Sequence, residues 1–191
     1  MMADDFQRIS AVEPQPIPPD LGERLVRSFY DAWNTGGWQA VEPMIAEDFD
    51  DHASPPEWRY GRAGFRAARQ ASAQVVRDVQ IHITKVFSWT QPDAQGQHRV
   101  FALTFVDIDA TFAGPQALRG LPPTGGPITI PACSVFRFAE RAGPGLPAGR
   151  EDPTMFETVF ELVEHWELQN LHAVWLTLGG PAQAWRALPT S

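Results

Sequence analysis

Two hydrophobic periods divide the chain. From Leu21 to about residue 76 apolar side chains recur every three or four positions, and from Val79 to about residue 169 they alternate. In the first region Asp20 stands as an N-cap candidate before a stripe of Leu21, Leu25, Val26, Phe29, Tyr30 and Trp33. Glu23, Arg24, Arg27 and Asp31 fall largely on the other face. Gly36-Gly37 stops that helix. A second, short helix is predicted over 38–46, presenting Val41, Met44 and Ile45. The string DFDDHASPP leaves room for one brief strand, and Phe65, Ala68, Ser72 and Val75 give a third helix over 61–76.

The alternating region begins with DVQIHITKVF, where Val79, Ile81 and Ile83 oppose Gln80, His82 and Thr84. A turn, TQPDAQGQ, leads to the long strand HRVFALTFVDIDATF. The Pro/Gly-rich link QALRGLPPTGGP leads to the strand ITIPACSVFRFAE, in which Pro131 predicts a bulge or a sheet edge. RAGPGLPAGREDP reads as a flexible hairpin insertion, MFETVFELVEHWELQN as the last strand and LHAVWLTLGG as a closing helix. Helices followed by antiparallel strands make an α+β order. A strongly twisted sheet curls and needs a cover on its concave face, so the predicted fold is a cone-shaped, curved antiparallel sheet wrapped around the N-terminal helices and enclosing a pocket. The expected organisation is an extended arm over 1–19, one domain over 20–180 carrying an insertion at 141–154, and a tail over 181–191.

Composition narrows the partners. The 191 residues suit one domain, and 43% hydrophobic content with seven Trp and twelve Phe predicts an aromatic interior. A net charge of -8 with no Lys/Arg cluster argues against nucleic acid and against an anionic membrane surface. Cys133 is the single cysteine, so neither an intrachain disulfide nor a thiolate zinc site can form. The acidic start MMADDFQRIS lacks the apolar run of a signal peptide, and no stretch approaches the roughly 20 apolar residues of a membrane span; a cytoplasmic protein is expected. GGPITI and GPGLPAG lack the strand-to-helix context of phosphate-binding loops, and no nucleophile-elbow string occurs.

The chemistry candidates lie on the strands. Val163, His165, Glu167 and Gln169 share one face of the last strand by alternation, and Leu162, Trp166 and Leu168 the other. A His–Glu pair at i, i+2 can hydrogen-bond laterally; in a dry cavity, burial would raise the carboxyl group and make it a base strong enough to take a proton beside a carbonyl. Periodicity alone favours a solvated face for this pair. His52, among Asp48, Asp50 and Asp51, has no recognisable metal-ligand spacing and reads either as a cavity donor or as a surface histidine. Asp107 and Asp109 alternate with Val106 and Ile108 and read as a solvent-facing strip, although an inward aspartate facing Glu167 would give a carboxylate pair. Phe29, Tyr30, Trp33 and Phe65 are core residues that can also form a pocket wall. Cys133 reads as packing, and Arg137 as the partner of a strand carboxylate or a surface residue.

The strings FYDAWNTGGWQAVEPMIAEDFDDHA, GLPPTGGPITI and VFRFAE…LVEHWE, in that order over about 21–179, resemble the SnoaL-like polyketide cyclases of the nuclear transport factor two-like superfamily. The resemblance implies a carboxylate two residues after the His of an H-W-D string that moves protons during intramolecular aldol ring closure, without metal or cofactor. The matching residue is Glu167 in His165-Trp166-Glu167, with Glu one methylene longer than the family's Asp. His52 and Ser134 match common polar positions, with Phe136 and Asn170 added as substrate contacts, whereas Phe112 stands where a His is common. The resemblance turns the His165/Glu167 face inward. It implies a cofactor-independent cyclase or isomerase acting on a polyketide-like, apolar carbonyl compound, with Glu167, His165 and His52 catalytic, and a homodimer paired through the convex sheet face. The alternatives are a non-catalytic small-molecule-binding module of the same fold, and an epoxide-opening enzyme, which an inward Asp107 or Asp109 would favour.

Overall fold

The computed structural model describes residues 17–118, 121–140 and 160–178. Most of the arm, the insertion at 141–154 and the tail over 181–191 lie outside the described residues. Helix α1, Leu21–Gly36, buries Leu21, Leu25, Val26, Phe29 and Tyr30, as the stripe predicts. Asp20 stands at its N-cap position but its side chain makes no capping bond; only its carbonyl accepts, from the Arg24 N–H at 3.0 Å. Gly37 ends the helix with φ +67°, a left-handed conformation that glycine adopts without strain, and its N–H returns to the Trp33 carbonyl at 2.7 Å.

The second helix is shorter than expected. α2 is one turn, Trp38–Val41, because Pro43 has no N–H with which to continue the ladder. A 3₁₀ turn, Glu42–Met44, then leads into β1, Ile45–Asp51, so Ile45 is buried in a strand rather than a helix. A second 3₁₀ turn, Pro56–Trp58, precedes α3, Gly61–Ser72. The remaining elements are β2 (Arg77–Pro92), β3 (His98–Thr111), β4 (Pro127–Glu140), β5 (Phe160–Gln169) and α4 (Leu171–Thr177). No helix among the described residues is long and apolar enough to cross a membrane.

The strands form one curved, unclosed sheet in the order β1-β5-β4-β3-β2. β2 to β5 are antiparallel neighbours, as predicted, but β1 runs parallel to β5, so the sheet is mixed. The chain leaves β1 through α3 rather than a hairpin, which frees its direction from that of its sheet neighbour. Pro131 lies in a central strand with regular pairing to Asp107 and no bulge. β5 pairing ends one residue away, at Ala132–Gln169, and the Pro131 carbonyl accepts the Asn170 N–H at 2.9 Å. A residue's N–H and C=O point the same way in a strand, so the missing donor of Pro131 faces the end of β5, where no ladder bond is lost.

β5 holds a bulge that alternation does not reveal. Arg137 pairs with Glu164 and Phe138 with Leu162, leaving Val163 unopposed. Leu162 therefore faces inward with Phe138, and after the bulge so do His165, Glu167 and Gln169. Leu162 does not share the face of Trp166, as strict alternation predicts.

α1 closes the concave face of the sheet. A Cβ on Gly22 would lie 2.7 Å from the Phe101 carbonyl oxygen and from the Ser88 Cβ, so glycine sets how closely the helix approaches β2 and β3. At its other end the Asn34 amide bonds both the N–H and the carbonyl of Ile81, each at 2.8 Å, and satisfies the free edge of β2. Phe136 meets Phe29 and Tyr30 edge to face, with centroids 5.6 and 5.5 Å apart. Phe112 is fully buried packing. Asp107 and Asp109 lie outside, opposite buried Val106 and Ile108, and Asp109 accepts the Thr129 hydroxyl at 2.6 Å.

Candidate functional site

Between α1, α3 and the concave face of the sheet lies a cavity of about 460 Å³. Its wall is mostly apolar: Phe29, Trp33, Phe49, Phe65, Ile81, Ile108, Ile130, Phe136 and Leu162 line it. Against this background Tyr30, Asp51, Arg69, His165, Glu167 and Gln169 are polar residues of the lining, with Ser72, Arg77 and Asp78 where α3 gives way to β2. Two local features aim the β1 and β5 residues. In β1, burial alternates so that Phe49 and Asp51 point inward, with Asp50 between them outward. In β5, the Val163 bulge brings His165 opposite Phe136 and Glu167 opposite Ser134.

These side chains form a connected polar run. His165 Nδ1 lies 3.0 Å from Asp51 Oδ1, and His165 Nε2 lies 4.0 Å from Glu167 Oε2. Asp51 is 1% exposed, yet burial, which by itself would raise its carboxyl group, is outweighed. The His165 hydrogen bond and charge, the Ser54 hydroxyl at 2.7 Å and the Arg69 charge together hold it down to about 2. An ionised carboxylate only accepts, so the contact assigns a proton to His165 Nδ1 and turns Nε2 toward Glu167. Glu167 accepts the Ser134 hydroxyl at 3.0 Å on Oε2 and the Gln169 amide at 2.5 Å on Oε1. Behind it Tyr30 and Thr104 pair their hydroxyls at 3.4 Å. Burial pushes the Tyr30 hydroxyl well above the ordinary phenol range, against the partial opposition of Thr104 and Ser134, so it stays protonated.

Of the residues that the sequence singles out, Glu167, His165, Phe29, Tyr30, Trp33, Phe65 and Phe136 all line the cavity. Three do not. Ser134 is fully buried behind Glu167, so it holds the carboxylate rather than touching a ligand. Asn170 is exposed beyond the end of β5. His52 lies outside the sheet, its ring stacked on Trp166 with centroids 4.5 Å apart, because the chain has already turned past Asp51. Sequence reasoning missed Asp51 and Arg69. The alternation of Phe49 with Asp51 held the signal for the first, but DFDDHASPP reads as a turn-rich cluster. Only the fold brings Arg69 to the cavity.

The outward neighbours make a second cluster. Asp50, His52 and Glu164 each place one ligand-type atom within 4.8 Å of the others, a spacing that a metal ion could use. Both carboxylates already hold cations: Arg59 grips Asp50 through Nε and Nη2, at 2.5 and 2.9 Å, and Arg137 Nε lies 2.6 Å from Glu164. The Arg59 bond holds the Asp50 carboxyl below its usual range, and Arg59 Nη2 also lies 2.8 Å from His52 Nδ1. The arrangement is a charge network closed by two arginines, a poor fit to a metal site.

Residues 26–143 match the family model of the SnoaL-like domain. Among solved structures, TsrD from Streptomyces laurentii superposes with a TM-score of 0.58 at 16% identity, over 87% of this chain and 100% of that one. AclR from Streptomyces galilaeus, named a proposed hydroxylase, gives 0.56 at 15% identity, over 85% and 98%. IdmH from Streptomyces antibioticus, named a proposed polyketide cyclase, gives 0.54 at 19% identity, over 83% and 98%. At these identities the likeness is one of fold. No curated protein matches the sequence.

Proposed function

This chain belongs to the SnoaL-like domain family, and from that premise we propose that it is a cofactor-independent cyclase or isomerase acting by acid–base chemistry on a largely apolar carbonyl compound. The observation that carries the reading is the run Asp51–His165–Glu167 along the wall of a mostly apolar cavity. Glu167 takes a proton from the carbon beside a carbonyl group. The resulting enolate attacks a second carbonyl of the same molecule, forming the ring bond, and the proton returns to the new alkoxide oxygen. His165, its tautomer fixed by Asp51, keeps Nε2 4.0 Å from Glu167 Oε2 and acts on the carboxylate through the field rather than through a direct hydrogen bond. Tyr30 offers a neutral O–H toward developing negative charge, and the aromatic wall folds the substrate so that the reacting carbons meet.

An assay that needs no natural substrate tests this. Wild-type protein should catalyse exchange of the α-protons of 2-tetralone in D2O, followed by NMR, and Glu167→Gln should lower the rate by roughly 10²–10⁴, the usual contribution of a positioned base. Exchange that survives the substitution would remove Glu167 from the role of base. A wild-type protein that binds 2-tetralone without exchanging its protons would favour the non-catalytic alternative. An inward Asp107 or Asp109 would favour the epoxide-opening alternative, and neither lines the cavity.

The homodimer belongs to the same proposal. Phe87, Trp89, Phe105 and Leu168 are 42–80% exposed on the outer sheet face, a larger set of exposed apolar side chains than an isolated sheet face needs. Light scattering on the wild-type chain should give twice the monomer mass, and Trp89→Glu should shift it toward the monomer. A monomeric wild-type chain would end the dimer proposal.

A further inference from the structure

Arg69 is a cation in an apolar wall whose guanidinium group has no hydrogen-bond acceptor among the described residues. α3 lays the group over two rings, with Cζ 5.8 Å from the Trp33 centroid and 5.5 Å from that of Phe65. Its nearest carboxylate is Asp51, and the Nη2–Oδ2 distance of 3.9 Å is too long for a hydrogen bond. Asp51 is also committed elsewhere. Its Oδ1 meets His165 at 3.0 Å and the Ala53 N–H at 3.1 Å, and its Oδ2 accepts the Ser54 hydroxyl at 2.7 Å. Arg69 Nε is covered by protein and has no partner, while 23% of the side-chain surface stays open on a residue that lines the cavity.

The neighbouring arginines differ. Arg27 reaches Glu23 at 2.7 Å, Arg62 reaches Glu47 at 2.7 Å and Arg59 reaches Asp50 at 2.9 Å. Those pairs face solvent or the outer surface. Two arginines line the cavity, Arg69 and the exposed Arg77 at the start of β2, and of these Arg69 is the one held over aromatic rings. A guanidinium group held rigid on two rings and short of acceptors is a ready site for a planar oxyanion, which it can bind through two N–H groups at once.

We propose that Arg69 anchors a carboxylate of the ligand, so that the cavity takes an aromatic or polyketide-like acid in its ionised form. This rests on the reading of the cavity as the substrate site and adds the substrate's charge to it. The acid group sits at the Arg69 end of the polar run, its apolar body lies along Phe65, Phe49 and Phe136, and the carbon to be deprotonated lies toward Glu167. Asp51 opposes a second anion, but its oxygens already accept three donors, whereas the ligand's carboxylate would meet Arg69 at hydrogen-bond distance.

The test uses two probes of one shape, 2-naphthoate and 2-naphthamide, titrated into the full chain at pH 7.5 with tryptophan emission or heat as the signal. Wild-type protein should bind the acid at least about tenfold more tightly than the amide. Arg69→Gln should erase that preference with little change in amide binding, and Arg69→Lys, which keeps the charge, should retain part of it. Equal binding of the two probes by wild-type protein, or an undiminished preference for the acid in Arg69→Gln, overturns the anchor and leaves the cavity reading standing. Failure of wild-type protein to bind either probe overturns both.

Discussion

β1 and β5, with the residue that follows β1, carry two Asp–His–Glu groups back to back, one on each face of the sheet. Asp51, His165 and Glu167 face the cavity, while Asp50, His52 and Glu164 face outward. The residue types are the same and their positions nearly interleave, yet the settings differ. Outside, Arg59 and Arg137 neutralise both carboxylates and Trp166 covers the His52 ring. Inside, the nearest arginine to Asp51 is Arg69 at 3.9 Å, and Glu167 is held by neutral donors, Ser134 and Gln169, beyond which lie aromatic side chains. Chemistry needs a charge that is held in place but not cancelled, so the surroundings rather than the residue types separate a candidate site from a surface network.

The largest effect should come from exchanging the glutamates one at a time. Glu167→Gln should cost roughly 10²–10⁴ in 2-tetralone exchange, whereas Glu164→Gln, one bulge-shifted step away on the other face, should leave the rate within about twofold. Equal losses from the two variants would break the distinction between the faces. Loss from neither would take the acid–base reading with it.

The helical and alternating periods made α1, α3 and the four long strands legible, because each is a local pattern of burial. The last strand's acidic edge was legible too, but not its phase. Leu162 and His165 are three residues apart, so simple alternation puts them on opposite faces, and only the unpaired Val163 reconciles them. The same one-residue ambiguity separates Asp51 from His52. Neighbours on extended backbone face opposite ways, so choosing His52 as the inward residue hid Asp51. The parallel pairing of β1 with β5 joins residues more than a hundred positions apart, such as Asp51 and His165, and no local pattern encodes it. Arg69 was invisible for a related reason: a basic residue on an amphipathic helix reads as solvated until the rings that it rests on are known.

Asp51→Asn probes the inner group through stability. The native carboxyl group is held at about 2, against an ordinary 3.8, which corresponds to about 2 kcal/mol at neutral pH. Because the folded value is the lower one, this contribution is complete above about pH 4 and disappears as pH falls through about 2. The variant should therefore melt below wild type at pH 7, and the gap should narrow as the pH is lowered from about 4 to about 2. A gap that stays constant over that range would mean that the carboxylate's charge is not what stabilises the inner group.

The outer group should yield the smallest effects, and their salt dependence makes them informative. His52→Ala removes a stacked ring from Trp166 and an acceptor from Arg59, but leaves the Arg59–Asp50 and Arg137–Glu164 pairs intact. A partly exposed ring contact of this kind is worth about 1 kcal/mol, so the melting temperature should fall by only a few degrees while 2-tetralone exchange stays at the wild-type rate. Screening at 1 M salt reaches the exposed pairs and hardly touches the buried one, so in wild-type protein it should weaken the outer network and spare the Asp51–His165 contact. His52→Ala should then lose less stability relative to wild type at high salt than at low, whereas the deficit of Asp51→Asn should hardly change. If His52→Ala abolished exchange while its melting temperature stayed near that of wild type, the outer histidine would have to act on the cavity through the sheet, and the two faces would be one site.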